Sequence, residues 1–161
     1  MTPEAAHNKP WQIAEAVFGI PFLVGIALQV AVPLRPPWAV PAALVIPLGI
    51  SLALAAGALI LLARRELRRF GQPTDPGHPT TSIVTTGVFS ISRNPIYLGA
   101  ACLLAGIALA LRLTWPLIFL VPSLIACQCL LIAPEERYLA SAFPAEYRRY
   151  ATTVHRWIGR A

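Results

Sequence analysis

Residues 94–134 read NPIYLGAACLLAGIALALRLTWPLIFLVPSLIACQCLLIAP, and Arg112 is the one charge among them. On each side of that arginine stands an apolar run near the ~20 residues that carry a helix across a hydrocarbon core. A soluble helical hairpin would show a polar stripe on each helix, and neither run has one. The tight turn around Arg112 makes the two runs antiparallel neighbours. Outward from this hairpin, Pro36 to Ala63 is also free of charge, and Trp11 to Val32 is broken only by Glu15. The pattern predicts one all-α integral membrane domain, 1–161, with four transmembrane helices at about 11–32, 40–63, 95–111 and 115–133. The third is short, reaching roughly 25 Å at 1.5 Å per residue.

Charge sets the orientation. Of the 161 residues 57% are hydrophobic and 12% charged, about half the charged share of a soluble domain. Lys9, Arg64, Arg65, Arg68, Arg69, Arg93, Arg137, Arg148, Arg149, Arg156 and Arg160 fall at one side of the four-span topology; only Arg35 and Arg112 fall at the other. That bias predicts cytoplasmic termini and a cytoplasmic central loop. The net charge of +6 then suits anionic membrane lipids, and no nucleic-acid module accompanies it. Trp11 to Val32 exceeds the 7–15 apolar residues of a signal peptide and a second span follows closely. Oligomeric state is not legible.

The polar segments hold the candidates for chemistry. Gly71 to Pro79 reads as a loop, and Thr80 to Ser92 as irregular chain at the membrane surface. Asn94 stands where it can cap a helix whose first residue is Pro95. The remaining N–H groups and the positive end of the helix dipole would then receive an anion beside Arg93. Glu135 and Glu136 follow Pro134 at the end of span four. They have two readings: acids that offset the dipole of the next helix, or carboxylates that bind a cation or orient a nucleophile beside the membrane. Glu15 reads as a snorkelling side chain, and His78 and His155 as loop and interface residues. Cys102, Cys127 and Cys129 read as packing residues, with no metal site expected, because Cys127 and Cys129 lie on different helix faces. In the tail, 134–161, Tyr147 and Tyr150 share a face at i,i+3. Aromatics interleaved with Arg suit a C-terminal interfacial helix lying on the bilayer.

SIVTTGVF (82–89) and SRNPIYLG (92–99), followed by Glu135-Glu136, Leu139, Phe143, Tyr147, Tyr150 and Val154-His155-Arg156, resemble the isoprenylcysteine carboxyl methyltransferase family and its bacterial phospholipid-methyltransferase-like relatives. The resemblance runs over about residues 64–157. It implies an integral enzyme of a bacterial or archaeal inner membrane that transfers a methyl group from S-adenosylmethionine to a lipophilic, membrane-partitioned acceptor bearing an amine, carboxylate or thiol. It also implies that Thr81, Ser82, Ile83, Val84, Phe89, Asn94, Pro95 and Tyr97 bind the cofactor at a site formed by the cytosolic loop and the C-terminal helix. Arg93 would join them through its charge, and Glu135 with Glu136 would stand at the catalytic, substrate end. Three departures stand out: Asn94 replaces a common His, Phe89 a common Tyr, and Leu131 the Arg that prenylcysteine-directed members carry one turn before the acid pair. The last weakens a carboxylate substrate. The alternatives are isoprenylcysteine carboxyl methylation specifically, or a non-enzymatic four-helix membrane protein or small exporter using Glu15. The long central loop and tail are foreign to such exporters.

The charge bias makes a direct topological prediction. A reporter active only outside the cell, fused after Ala161, stays silent; activity there contradicts the four-span, termini-inside arrangement.

Overall fold

The structure, a computed structural model, describes residues 14–36, 40–73 and 80–160. The expected start of span one at 11–13, Lys9 and His78 lie outside the described residues. The described chain is helical, its only extended pairing an isolated antiparallel bridge between Val154 and Arg160. Helix α1 covers Ala14–Ala31, α2 Ala42–Arg69 and α3 Pro95–Ala110. Helix α4, Thr114–Cys127, runs through a π-helical turn, Gln128–Ile132, into α5, Ala133–Ala142. After Phe143 comes α6, Pro144–Thr153.

Three of these are long and apolar enough to cross a membrane: α1, α2 and the continuous Thr114–Ala142; α3 is apolar but shorter. Their outer faces carry Leu44, Leu54, Leu61, Val121 and Ile125, all exposed. In water such a surface would be an aggregation hazard; against lipid tails it is the expected one. The chain is an integral membrane protein.

Lipid is as apolar as leucine, so these helices gain little by burying side chains and associate through close packing instead. Helix α3 runs antiparallel along α2 on small residues spaced seven apart, Gly49 and Ala56 against Gly106 and Gly99. A Cβ on Gly106 would stand 2.7 Å from the Gly49 carbonyl oxygen, and one on Gly99 2.5 Å from Ile60 Cγ1. Helix α1 packs chiefly on α4, where a Cβ on Gly25 would meet Pro116 Cα at 2.8 Å. At that end Gln29 replaces the missing cap of α4: its Oε1 accepts the Thr114 and Trp115 backbone N–H groups at 3.1 and 3.2 Å. Trp115 Nε1 donates to the Val32 carbonyl at 2.9 Å. The four apolar helices thus converge, at their opposite end, on the polar loop and tail.

Expectation and structure part at that polar end. The tail is not one interfacial helix but α5, α6 and a non-helical strap, 154–160. Tyr147 and Tyr150 do share a face, yet it turns inward, burying both rings with Val154 against Ile83 and Leu139. The helix of span two continues past Ala63 to Arg69. Between Thr80 and Ser92 the chain is irregular except for a 3₁₀ turn, Gly87–Ser90.

The glycine contacts give a paired prediction. Gly49→Ala and Gly106→Ala each destabilise the detergent-solubilised protein by about 1–3 kcal/mol, because backbone must move apart. Gly57→Ala, with open space around it, leaves stability unchanged or raises it by up to about 1 kcal/mol. Equal melting shifts for the three variants would contradict this packing.

Candidate active site

Pro134 has no N–H to give the carbonyl four residues back, and the chain before it departs from regular α-helix. The chain answers with the π turn, in which the Ala133 N–H reaches the Gln128 carbonyl five residues away. One extra residue in a turn rotates all that follows by roughly 100°. That rotation sets the faces on which Glu135 and Glu136 emerge, and the two acids meet different surroundings.

Glu136 is clamped. Its Oε2 lies 2.6 Å from Arg156 Nη2, and its Oε1 accepts Arg156 Nε at 3.0 Å and lies 3.2 Å from Arg93 Nη1. The two-point Arg156 contact is the fork geometry that makes arginine–carboxylate pairs strong. It holds the Arg156 guanidinium still more firmly protonated than usual. Arg93 also donates to Tyr147 Oη at 2.9 Å and sits 5.8 Å from the centre of that ring. Burial, with the Glu136 charge behind it, pushes the Tyr147 phenol up to about 12. Tyr147 therefore stays neutral and can accept the arginine's hydrogen.

Glu135 has no cation. Its Oε2 accepts the Tyr97 hydroxyl at 3.1 Å, and no ion pair reaches it among the described residues. The two adjacent acids thus differ: Glu136 is neutralised by Arg93 and Arg156, and Glu135 is not. Leu131, which the family resemblance places where an Arg would stand, leaves no gap. It is fully buried in a core with Val17, Phe18, Ala101 and Cys127, so helix α1 covers that position.

Asn94 occupies the N-cap position of α3 but does not cap it. Its Nδ2 donates to the Arg156 carbonyl at 3.1 Å, and its own N–H goes to Ser92 Oγ at 3.1 Å. The strap is further stitched to the loop by Arg93 N–H to the His155 carbonyl, 3.1 Å, and Gly159 N–H to the Ile91 carbonyl, 2.8 Å. Tyr150 donates its hydroxyl to the Phe89 carbonyl at 2.7 Å. Burial raises this phenol too, which keeps it a donor.

Of the residues named from sequence, Phe89, Arg93, Asn94, Pro95, Tyr97, Glu135 and Glu136 come together at this end. Thr81 and Ser82 belong to a neighbouring knot around Gln72. Its Oε1 accepts the Thr81 N–H at 3.0 Å, and its Nε2 donates to Thr81 Oγ1 and Ser82 Oγ at 2.8 and 3.0 Å. Ile83 packs on the buried tyrosines, and Val84 with Phe89 on Ala63, so these three offer a ligand backbone rather than side chain. Gln72 and the clamp role of Arg156 carry no sequence signal; each depends on a partner far along the chain. Cys127 is buried and Cys129 exposed. Among the described residues no group of His, Cys, Asp and Glu could hold a metal ion.

The clamp predicts unequal responses. Glu136→Gln strands two guanidinium groups, one partly exposed, and lowers stability by about 2 kcal/mol, with faster tryptic cleavage in the strap after Arg156. Arg148→Gln, at an exposed position, changes melting by less than about 0.5 kcal/mol. Equal melting for both variants removes the clamp from the account.

Comparison with curated proteins and with solved structures gives no significant match. A family model described as phospholipid methyltransferase matches residues 44–146. The match runs from the start of α2 to the first turn of α6. It contains the loop, the Arg93–Tyr97 junction and both acids, while Tyr147, Tyr150 and the strap lie beyond it. With most of the chain matched and helices fit to cross a membrane, the protein belongs to the phospholipid methyltransferase family of membrane enzymes.

Proposed function

We propose that this protein methylates a lipophilic, amine-bearing acceptor drawn from the bilayer, with S-adenosylmethionine as donor. Its four spans would comprise α1, α2, α3 and α4, with α3 crossing beside α2, and its polar end would face the cytoplasm. The observation that carries the reading is the contrast between the two acids: a neutralised Glu136 beside a Glu135 that no cation reaches.

The residues fit the donor. Arg93 Nε and Tyr138 Oη are buried with no hydrogen-bond partner among the described residues, and both could serve a carboxylate or another acceptor. Glu135 suits a positive group. Arg93, Asn94 and the first turn of α3 would hold the methionyl carboxylate, with backbone from Thr81, Ser82, Ile83 and Val84 completing the cradle. When bound, S-adenosylmethionine supplies a methyl group already activated on a sulfonium, so the protein's own tasks are positioning and proton handling.

An amine arrives protonated, and its nitrogen has no lone pair until that proton leaves. Glu135 Oε1 carries no hydrogen bond among the described residues and can take it, while Tyr97 holds Oε2 in place. A carboxylate acceptor brings no proton for Glu135 to take. Arg156, forked onto Glu136, is not free to pair with it.

Methyl incorporation from labelled S-adenosylmethionine into phosphatidylethanolamine and into N-acetyl-farnesylcysteine, side by side, tests this assignment. The amine lipid is the better acceptor, and Glu135→Gln lowers its turnover by about a hundredfold or more while melting stays within about 1 kcal/mol. Robust methylation of the prenylcysteine alone overturns the amine assignment.

A further inference from the structure

Two exposed isoleucines lie outside the long helices, at the polar end. Ile91, in the loop before α3, is 53% exposed, and Ile158, in the strap, is 65% exposed. The fold brings their segments together, since the Gly159 N–H donates to the Ile91 carbonyl at 2.8 Å. Trp157, immediately before Ile158, packs on the core cluster that includes Ala101, Cys127 and Leu131. Single exposed apolar residues are ordinary; three on two segments tied at one point make a patch that calls for a partner.

Depth identifies that partner. Helix α3, with 16 residues, rises roughly 24 Å, about one turn short of a ~30 Å hydrocarbon core. Counted along the neighbouring helix from Thr114, Cys127 stands roughly 20 Å up and Leu131 roughly 25 Å, both within that thickness. Trp157 packs on these two residues, so the strap, after two polar helices, dips back to membrane depth. It lies there beside Ile125, one of the exposed residues of the lipid-facing surface, and the patch continues that surface.

The strap's backbone suits this position. Non-helical chain at membrane depth persists only where protein satisfies its polar groups. The His155 N–H donates to the Gly159 carbonyl at 2.9 Å, and the His155 carbonyl accepts the Arg93 N–H at 3.1 Å. The Arg156 carbonyl accepts Asn94 Nδ2 at 3.1 Å. Arg160, exposed where the strap bridges back to Val154, supplies the cation that pairs with lipid phosphates beside an interfacial tryptophan.

We infer that Ile91, Trp157 and Ile158 form a docking surface for the lipid leaflet at the polar end, so that the bilayer itself holds the strap closed. Arg156 immediately precedes Trp157. The contact that seats the tip in lipid therefore also keeps the Arg156 guanidinium on Glu136, and the clamp is complete only against a membrane.

The test uses the full chain in nanodiscs of phosphatidylcholine and phosphatidylglycerol, which leave both faces open to reagents. An environment-sensitive fluorophore is attached to Ile158→Cys or, as reference, to Arg148→Cys on α6, with Cys102, Cys127 and Cys129 replaced by Ala. Lipids carrying a nitroxide on the acyl chain quench the label at 158 at least about threefold more than the label at 148, and aqueous iodide shows the reverse preference. Equal quenching at the two positions overturns the docking surface. Tryptic cleavage after Arg156, in chains that keep their cysteines, reads the consequence for the strap. Ile91→Asp speeds that cleavage about tenfold in nanodiscs, because a carboxylate is expelled from lipid, while Ile91→Leu leaves it unchanged and both variants melt like the wild type in detergent. Unchanged cleavage in Ile91→Asp, or equal acceleration by Asp and Leu, overturns the claim that the bilayer holds the strap.

Discussion

The polar end of this molecule depends on one carboxylate. Glu136 receives Arg93 from the start of α3 and Arg156 from the strap, so three segments distant in sequence are tied at a single point. Charges this close to hydrocarbon are costly unless paired, and that cost makes the arrangement selective. Of the other acids here, Glu135 is bonded to Tyr97 and Glu66 to Thr86, and Glu146 is exposed on α6. Once Glu136 is satisfied, the strap is fixed, Asn94 is drawn to the Arg156 carbonyl, and Trp157 packs on the core beside Tyr97.

The clamp also explains how adjacent acids in one helix acquire different capacities. A carboxylate shared by two guanidinium groups is a structural element, and its charge is spent. Its neighbour, held at one oxygen by a phenol, keeps a second oxygen without a hydrogen bond among the described residues. Consecutive residues of an α-helix point about 100° apart, which separates the two environments, and the π turn before them sets the faces on which both emerge.

Much of this was legible in sequence, and what was missed has a physical pattern. Apolar runs report on a helix's relation to the bilayer, a local property, and they marked α1, α2 and the continuous Thr114–Ala142 as helices long enough to cross it. The junction at 92–99 and the acid pair were likewise visible, since motif residues lie close together in the chain. The errors arose where a long-range partner redirected a side chain. Asn94 has the composition of a cap, but the strap's carbonyl competes for its amide. Tyr147 and Tyr150 read as lipid-facing, but the loop provides a protein surface for the same face. Leu131 read as a missing cation, but α1 packs over it and Arg156 brings the charge from the tail.

The central claim is that this clamped polar end is a binding site for S-adenosylmethionine, and equilibrium binding of the radiolabelled compound to detergent-purified protein tests it most directly. The account predicts saturable binding at one site per chain, weakened about tenfold by Asn94→Ala and by Tyr97→Phe with folding retained. No saturable binding, or an unchanged dissociation constant in both variants, would contradict it.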